Sequence, residues 1–312
     1  MPNSNDRIGF VGLGLMGAGM ASRVHEHGMP LIVYDISEER CAPFRLKGVA
    51  VAESAKDLAD KAEIVVSCLP SVEVSREVAC GPGGIGEGKA AKVYVETGTV
   101  GTAAIVEIGE TLAKAGIAVI DGPVSGGQAG ADKGTLSTIL AGPPDAVARF
   151  RKVAESYSSH VFVVADRPGP AQTVKLVNNM LSITGMIAAF EGMVMGVKAG
   201  LDPQTMLDII NVSTGRNSAT LEKIPSRILP RTFGGHITTG VKDLGLYICE
   251  SEELGVPVWM ATRALEVFRK AMDHGIERET MRIIQYMEAL AGGVEVKGRT
   301  TGDVPVSPGK SD

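Results

Sequence analysis

The chain has 312 residues, 44% of them hydrophobic, and a formal net charge of −5, which provides core material for two domains of ordinary size. The acidic balance and the lack of any basic cluster exclude a nucleic-acid partner and an anionic membrane surface. Its first residues, MPNSNDR, hold no basic-then-apolar leader, and its cysteines, Cys41, Cys68, Cys80 and Cys249, form no C-x-x-C pair; a cytoplasmic protein with neither a zinc site nor a disulfide framework is expected.

In chain order, short apolar runs alternate with helix-patterned stretches. Ile8 to Val11, Leu31 to Tyr34, Ile64 to Cys68, Val93 to Glu96 and Ile117 to Asp121 read as strands, and this rhythm of βαβ units implies a parallel sheet. Leu136 to Ala141 and Val161 to Val164 extend it. The pattern changes at RPGPAQ, beyond which only helical periodicity is found. Residues 1–167 are therefore expected to form an α/β domain of Rossmann type with a mostly parallel sheet, and residues 168–293 an all-α domain. Its helices are expected near Ala171 to Ala199, Pro203 to Val212, Thr239 to Leu254, Pro257 to Met272 and Arg278 to Ala291. The first is apolar but interrupted by Ser182, Thr184 and Glu191; it reads as a helix buried nearly all round, not a membrane span, and such a helix points to an oligomer. Residues 294–312 are polar and rich in glycine and proline, and are read as a mobile tail.

The first strand breaks into Gly12-x-Gly14-x-x-Gly17, and Asp35 closes the second strand 18 residues after Gly17. In that setting the first glycine takes the turn, the second lets the backbone approach a pyrophosphate and the third lets helix and strand pack, with the anion on the helix N-terminus. The turn Gly12, Leu13, Gly14, Leu15 and Met16 is thus a candidate dinucleotide site. Asp35 would accept ribose hydroxyls and repel a 2′-phosphate, favouring NAD over NADP, unless it only caps the helix that follows.

Three later stretches offer chemistry. Asp121-Gly-Pro-Val-Ser-Gly-Gly127 lies at the carboxyl end of a predicted strand, where glycine amides and the Ser125 hydroxyl suit a carboxylate if the loop is more than a plain turn. In Gly169-Pro-Ala-Gln-Thr-Val-Lys175-Leu-Val-Asn178-Asn179, Lys175 and Asn179 share a helix face. They could bind a substrate hydroxyl, the lysine moving the proton if burial lowers its pKa; on spacing alone, a solvated lysine is the better account. Val241-Lys242-Asp243-Leu244 pairs a cation with an anion at a helix start, and His236 is the one histidine near such a stretch. No metal-ligand pattern and no nucleophile elbow is found.

Taken in order, GLGLMGAGMA, DGPVSGGQAGADKGTL, GPAQTVKLVNN and VKDL resemble the β-hydroxyacid dehydrogenase family over roughly residues 7 to 291. That family includes 3-hydroxyisobutyrate dehydrogenase, tartronate semialdehyde reductase and 6-phosphogluconate dehydrogenase. The resemblance implies reversible, metal-free hydride transfer between NAD and the hydroxyl carbon of a small 3-hydroxy acid. By the same resemblance Lys175 is the general acid/base and Asn179 helps hold the substrate. Ser125, Gly126 and Gly127 form the substrate-carboxylate loop, and Lys242 lies near cofactor and substrate. Leu69 and Pro70 match the loop along the adenosine side, and Thr99 matches a threonine near the nicotinamide half. A homodimer or homotetramer is implied.

Two departures stand out. Glu96-Thr-Gly-Thr99 replaces the family's frequent Asp-Ser-Ser-Thr, and Asn217 and Ser218 stand where many members place an aromatic residue. A more polar substrate is expected, with Arg216 either pairing a second acidic group or lying on the surface. Other classes are a non-catalytic NAD(H)-binding interaction or redox-sensing protein, and an imine reductase on the same scaffold. The presence of Lys175, Asn179 and the Ser125 loop weighs against the first, and the presence of Lys175, a lysine that imine reductases typically lack, against the second.

Overall fold

The structure is a computed structural model that describes residues 6–298. Its first part alternates strands and helices: β1 Ile8–Val11, α1 Leu15–Glu26, β2 Leu31–Tyr34, α2 Glu38–Leu46, β3 Ala50–Val51, α3 Ala55–Ala59, β4 Ile64–Ser67, α4 Val72–Cys80, β5 Val93–Glu96, α5 Thr102–Ala113, β6 Ala118–Asp121, β7 Val124–Ser125, α6 Gly127–Lys133, β8 Leu136–Ala141, α7 Pro144–Tyr157 and β9 Ser158–Ala165. The sheet order is β3-β2-β1-β4-β5-β6-β8-β7, with β9 also pairing β8. From β3 to β6 every pairing is parallel, β8 is antiparallel to β6 and β7, and β9 is parallel to β8.

This is the mostly parallel Rossmann sheet expected from the alternation. The central strands are apolar throughout because helices cover both faces: Phe10, Met20, Val33 and Phe150 fill one side, and Leu58, Tyr94, Ile105 and Leu112 the other. The two-residue strands β3 and β7 were not read from the sequence, since two residues carry no periodicity.

From residue 170 the chain is helical: α8 Pro170–Lys198, α9 Pro203–Asn211, a π-helical segment Ala219–Ile228, α10 Ile237–Glu253, α11 Trp259–Asp273 and α12 Ile283–Leu290. The chain separates into two compact units inside α8, between Val177 and Asn178. The domain boundary drawn from hydropathy falls at residues 167/168; the contact boundary falls later because the first turn of α8 is bonded to the sheet through Gln172, as described below. In the second unit Phe190, Phe268, Ile224, Leu244 and Ile283 form the core.

Two expectations are corrected. The α8 helix is not buried all round: Met186, Phe190 and Met193 are buried, but Leu181 is 61% and Met195 69% exposed in the single chain. By length and hydropathy alone α8 also passes as a candidate membrane span, although its residues contribute to the core of the second unit. The stretch 294–298 is not loose, because Val296 is fully buried, donates its N–H to Glu288 Oε1 at 2.7 Å, and is followed by Gly298, whose N–H reaches the Leu229 carbonyl. The remainder of the tail, 299–312, lies outside the described residues.

Candidate active site

In the first unit the glycine turn has the form a dinucleotide requires. Gly12 has φ +89°, and a Cβ there would run into the Cys68 carbonyl oxygen, as one on Gly17 would into the Gly12 carbonyl oxygen; a Cβ on Gly14 would meet nothing within 4 Å. Gly12 thus makes the turn, Gly17 the close packing, and Gly14 the open approach. The N-terminus of α1 has no side-chain cap and no acidic residue in its first turn, so its amides remain suited to a phosphate. Leu13 is buried, Met16 is half-buried and Leu15 is exposed. Leu69, from the loop after β4, lies against Gly12, and Pro70 beside it is exposed.

Asp35 is tied to that turn. Its Oδ2 accepts the Leu13 N–H at 2.7 Å and its Oδ1 the Ser37 N–H at 2.8 Å. A carboxylate has about four lone-pair sites, so acceptor capacity is left for ribose hydroxyls. Arg40 Nη1 stands 3.5 Å from Oδ2 on a side chain 56% exposed. A cavity of about 400 Å³ opens here, lined by Tyr34, Asp35, Ile36, Glu38 and Arg45 among others. These residues fit a bound dinucleotide.

The strand ends β5 and β6 carry two buried carboxylates. Glu96 accepts from the Tyr94 hydroxyl (2.8 Å), Ser67 Oγ (3.2 Å) and the Gly98 N–H (2.8 Å), and burial pushes its pKa up. It braces the turn that carries half-buried Thr99. Asp121 accepts the N–H groups of Gly169 (3.1 Å) and Gln172 (2.9 Å) on Oδ2, and Gln172 Nε2 (2.9 Å) on Oδ1. Burial pushes Asp121 up to about 7 despite these three donors.

Gln172 is the residue the sequence reading missed. Its Oε1 accepts the N–H groups of Val100 (2.9 Å) and Gly101 (3.1 Å), and its Nε2 donates to the Gly98 carbonyl (3.0 Å) as well as to Asp121. One buried amide therefore joins the Thr99 loop, the strand end that leads into the Ser125 loop, and the start of α8. Lys175, one turn further on, is only 8% exposed, which removes the solvated-lysine alternative. Ser125 ends the short strand β7, and Gly126 and Gly127 follow with φ of +130° and +64°, conformations that suit glycine.

In the second unit, Asn179 Nδ2 donates to Asp243 Oδ2 at 2.7 Å, and Lys242 Nζ to Asp243 Oδ1 at 2.7 Å. Asp243 is buried, so Asn179 and Lys242 are brought together through it. Two expectations change here. Asn217 does not present a polar pocket wall: its Oδ1 accepts the Ala219 and Thr220 N–H groups and its Nδ2 donates to the Gly185 carbonyl, so the side chain is used in shaping the turn. Arg216 and His236 are exposed. Instead Lys223, from the π-helical segment, donates to Ser182 Oγ on α8 at 2.9 Å, and burial lowers its pKa. Ser182 was findable, since it repeats the Lys175 face seven residues on; Lys223 had no signal, lying in an irregular segment that contains Pro225.

A Rossmann sheet with a glycine turn suited to a dinucleotide's phosphates, followed by a helical unit, is an architecture of nicotinamide-dinucleotide-dependent oxidoreductases. Residues 7–165 match the NAD binding domain of 6-phosphogluconate dehydrogenase, and residues 169–287 match the NAD-binding domain of NADP-dependent 3-hydroxyisobutyrate dehydrogenase. The chain is 33% identical over 296 residues to 2-(hydroxymethyl)glutarate dehydrogenase of Eubacterium barkeri, covering 94% of this chain and 98% of the relative. It is 32% identical to mitochondrial 3-hydroxyisobutyrate dehydrogenase of Mus musculus, covering 91% and 88%. The crystal structure of 3-hydroxyisobutyrate dehydrogenase from Salmonella typhimurium superposes with a TM-score of 0.79 at 26% identity, covering 90% of this chain and 99% of that one. The chain belongs to the β-hydroxyacid dehydrogenase family and is an NAD(P)-dependent hydroxyacid dehydrogenase.

Proposed function

We propose that the chain oxidises a small, polar 3-hydroxy acid, or reduces the matching semialdehyde or keto acid, with NAD in preference to NADP. A nicotinamide cofactor bound to the chain would supply the hydride-transfer chemistry. Lys175 takes the hydroxyl proton in oxidation and returns it in reduction, and as a cation it polarises the carbonyl. Asn179, one helical turn away and fixed by Asp243, orients the hydroxyl-bearing end. Ser125, Gly126 and Gly127 hold the carboxylate. Gly12, Leu13, Gly14, Leu15 and Met16 hold the pyrophosphate, Asp35 the adenine ribose, Leu69 and Pro70 flank the adenosine, and Thr99 and Lys242 approach the nicotinamide half.

The observation that carries this reading is Lys175 itself, buried and one turn after the Gln172 amide that joins the two loops described above. Burial keeps bulk water away from the Lys175 amine, so that a proton it moves is exchanged with the substrate. The Asp35 carboxylate at the end of β2, which opposes a 2′-phosphate, supports NAD. The exposed apolar residues Leu181 and Met195 of α8 support a homodimer or homotetramer, and the residence we propose is cytoplasmic.

The test is initial rates with NAD and NADP over a panel of small 3-hydroxy acids, beside the Lys175→Ala variant. Turnover falls by about 10²- to 10⁴-fold in the variant, with NADH affinity within about twofold by fluorescence titration. Equal turnover removes Lys175 from the chemistry.

A further inference from the structure

At about 100° per residue, Lys175, Asn179 and Ser182 fall on one face of α8. The first two belong to the proposed chemistry; the third does not. In the second unit Ser182 Oγ receives Lys223 Nζ at 2.9 Å, in a partly buried setting that lowers the ammonium's pKa. Among the described residues that neutral hydroxyl is Lys223's hydrogen-bond partner, and the carboxylate acting on it is its sequence neighbour Glu222. A partly buried cation without a paired anion is costly, and an ammonium has three donors, of which Ser182 takes one. Contrast Lys242, which is paired with Asp243. Arg216, the cation first considered for a second acidic group, is exposed.

We propose that Lys223, seated by Ser182, binds a second anionic group on the substrate, so that this chain prefers hydroxy acids carrying two anionic groups. The proposal rests on the reading of Lys175 and Asn179 as substrate-facing. About 4.5 Å of helix rise separates Asn179 from Ser182, the scale of a short carbon chain between a hydroxyl-bearing centre and a distal carboxylate, phosphonate or sulfonate. A lysine serves here as a point charge that takes any of these.

The experiment is calorimetry on the NADH-loaded protein with butyrate as the monoanion and glutarate, 3-phosphonopropionate and 3-sulfopropionate as dianions. In the unaltered protein at least one dianion binds about tenfold more tightly than butyrate, and which one does so names the distal group. Lys223→Gln abolishes that preference while butyrate affinity stays within about twofold, Lys223→Arg retains part of it, and Ser182→Ala weakens it a few-fold; unchanged NADH affinity shows that each variant is folded. A preference absent from the unaltered protein, or one that survives Lys223→Gln, overturns the proposal. Loss of the preference in Lys223→Gln, in a protein that turns over no hydroxy acid, supports the subsite and overturns the dehydrogenase substrate reading. Turnover of hydroxy monoacids with no dianion preference overturns the subsite alone.

Discussion

The candidate residues of the first unit lie mostly on features built from backbone: the glycine turn after β1, the loops after β5 and β6, and the amides that Gln172 and Asp121 hold in place. Those of the second unit are side chains that meet across long sequence separations, Asn179 with Asp243 and Ser182 with Lys223. Backbone sites serve groups shared by all substrates and cofactors of a family, since amides read charge and shape. Side-chain sites can be exchanged one residue at a time, and the second unit is accordingly where selectivity between acids is expected to be written.

The sharpest way to break that contrast is to add one methyl group at two glycines of the same turn. Gly12→Ala forces φ near +89° on a residue with a Cβ and drives that Cβ into the Cys68 carbonyl. Denaturant unfolding should show a loss of about 2–4 kcal/mol, together with loss of NADH binding. Gly14→Ala meets nothing within 4 Å. Its stability should stay within about 0.5–1 kcal/mol of the parent while NADH binds about tenfold more weakly. If both variants lose stability alike, the open approach at Gly14 is not a ligand surface.

Comparable in size is the effect expected at the Asp121 and Gln172 pair. Gln172→Ala leaves the N–H groups of Val100 and Gly101 without their acceptor, at about 1–3 kcal/mol for each buried group left unsatisfied. Asp121 adds a pH signature. Its pKa is raised to about 7 by burial, with Glu96 on the neighbouring strand β5 as the like charge that adds to the rise. A carboxyl whose folded value exceeds its ordinary 3.8 contributes stability that is fully present at acid pH and is lost as pH rises through about 7. The unfolding free energy of the parent relative to Asp121→Asn should therefore decline between about pH 4 and 7 and be level above. A difference independent of pH rejects the raised carboxyl.

Much of the first unit was legible because its signals are local. The apolar runs at β1, β2, β4, β5 and β6 are buried on both faces, and Gly12, Gly14, Gly17 and Asp35 sit at fixed spacing. The four-residue step from Lys175 to Asn179 is equally local. What was not legible depends on partners far apart in sequence. Gln172 reads as an ordinary polar helix residue until Val100, Gly101 and Asp121 converge on it. Asn217 looked like a pocket residue because the sequence does not show that its amide is engaged by Gly185, Ala219 and Thr220. Val296 looked like tail because one buried valine gives no period, although it is held by Glu288 and fully enclosed.

The smallest expected effect concerns cofactor choice and separates two roles of one carboxylate. Asp35 braces the turn through the Leu13 and Ser37 amides, and its charge opposes a 2′-phosphate. Asp35→Asn keeps an oxygen acceptor for one amide and removes the charge. It also frees Arg40, now 3.5 Å from Oδ2, to meet a phosphate as a planar donor fork. The ratio of kcat/KM for NAD over that for NADP should fall about tenfold, which corresponds to about 1.4 kcal/mol. Adding Arg40→Ala should take back the gain with NADP while leaving NAD almost unchanged. If Asp35→Asn weakens both cofactors equally, the carboxylate acts only as a brace for the glycine turn, and selection between the two cofactors must arise from other residues around the cavity beside β2.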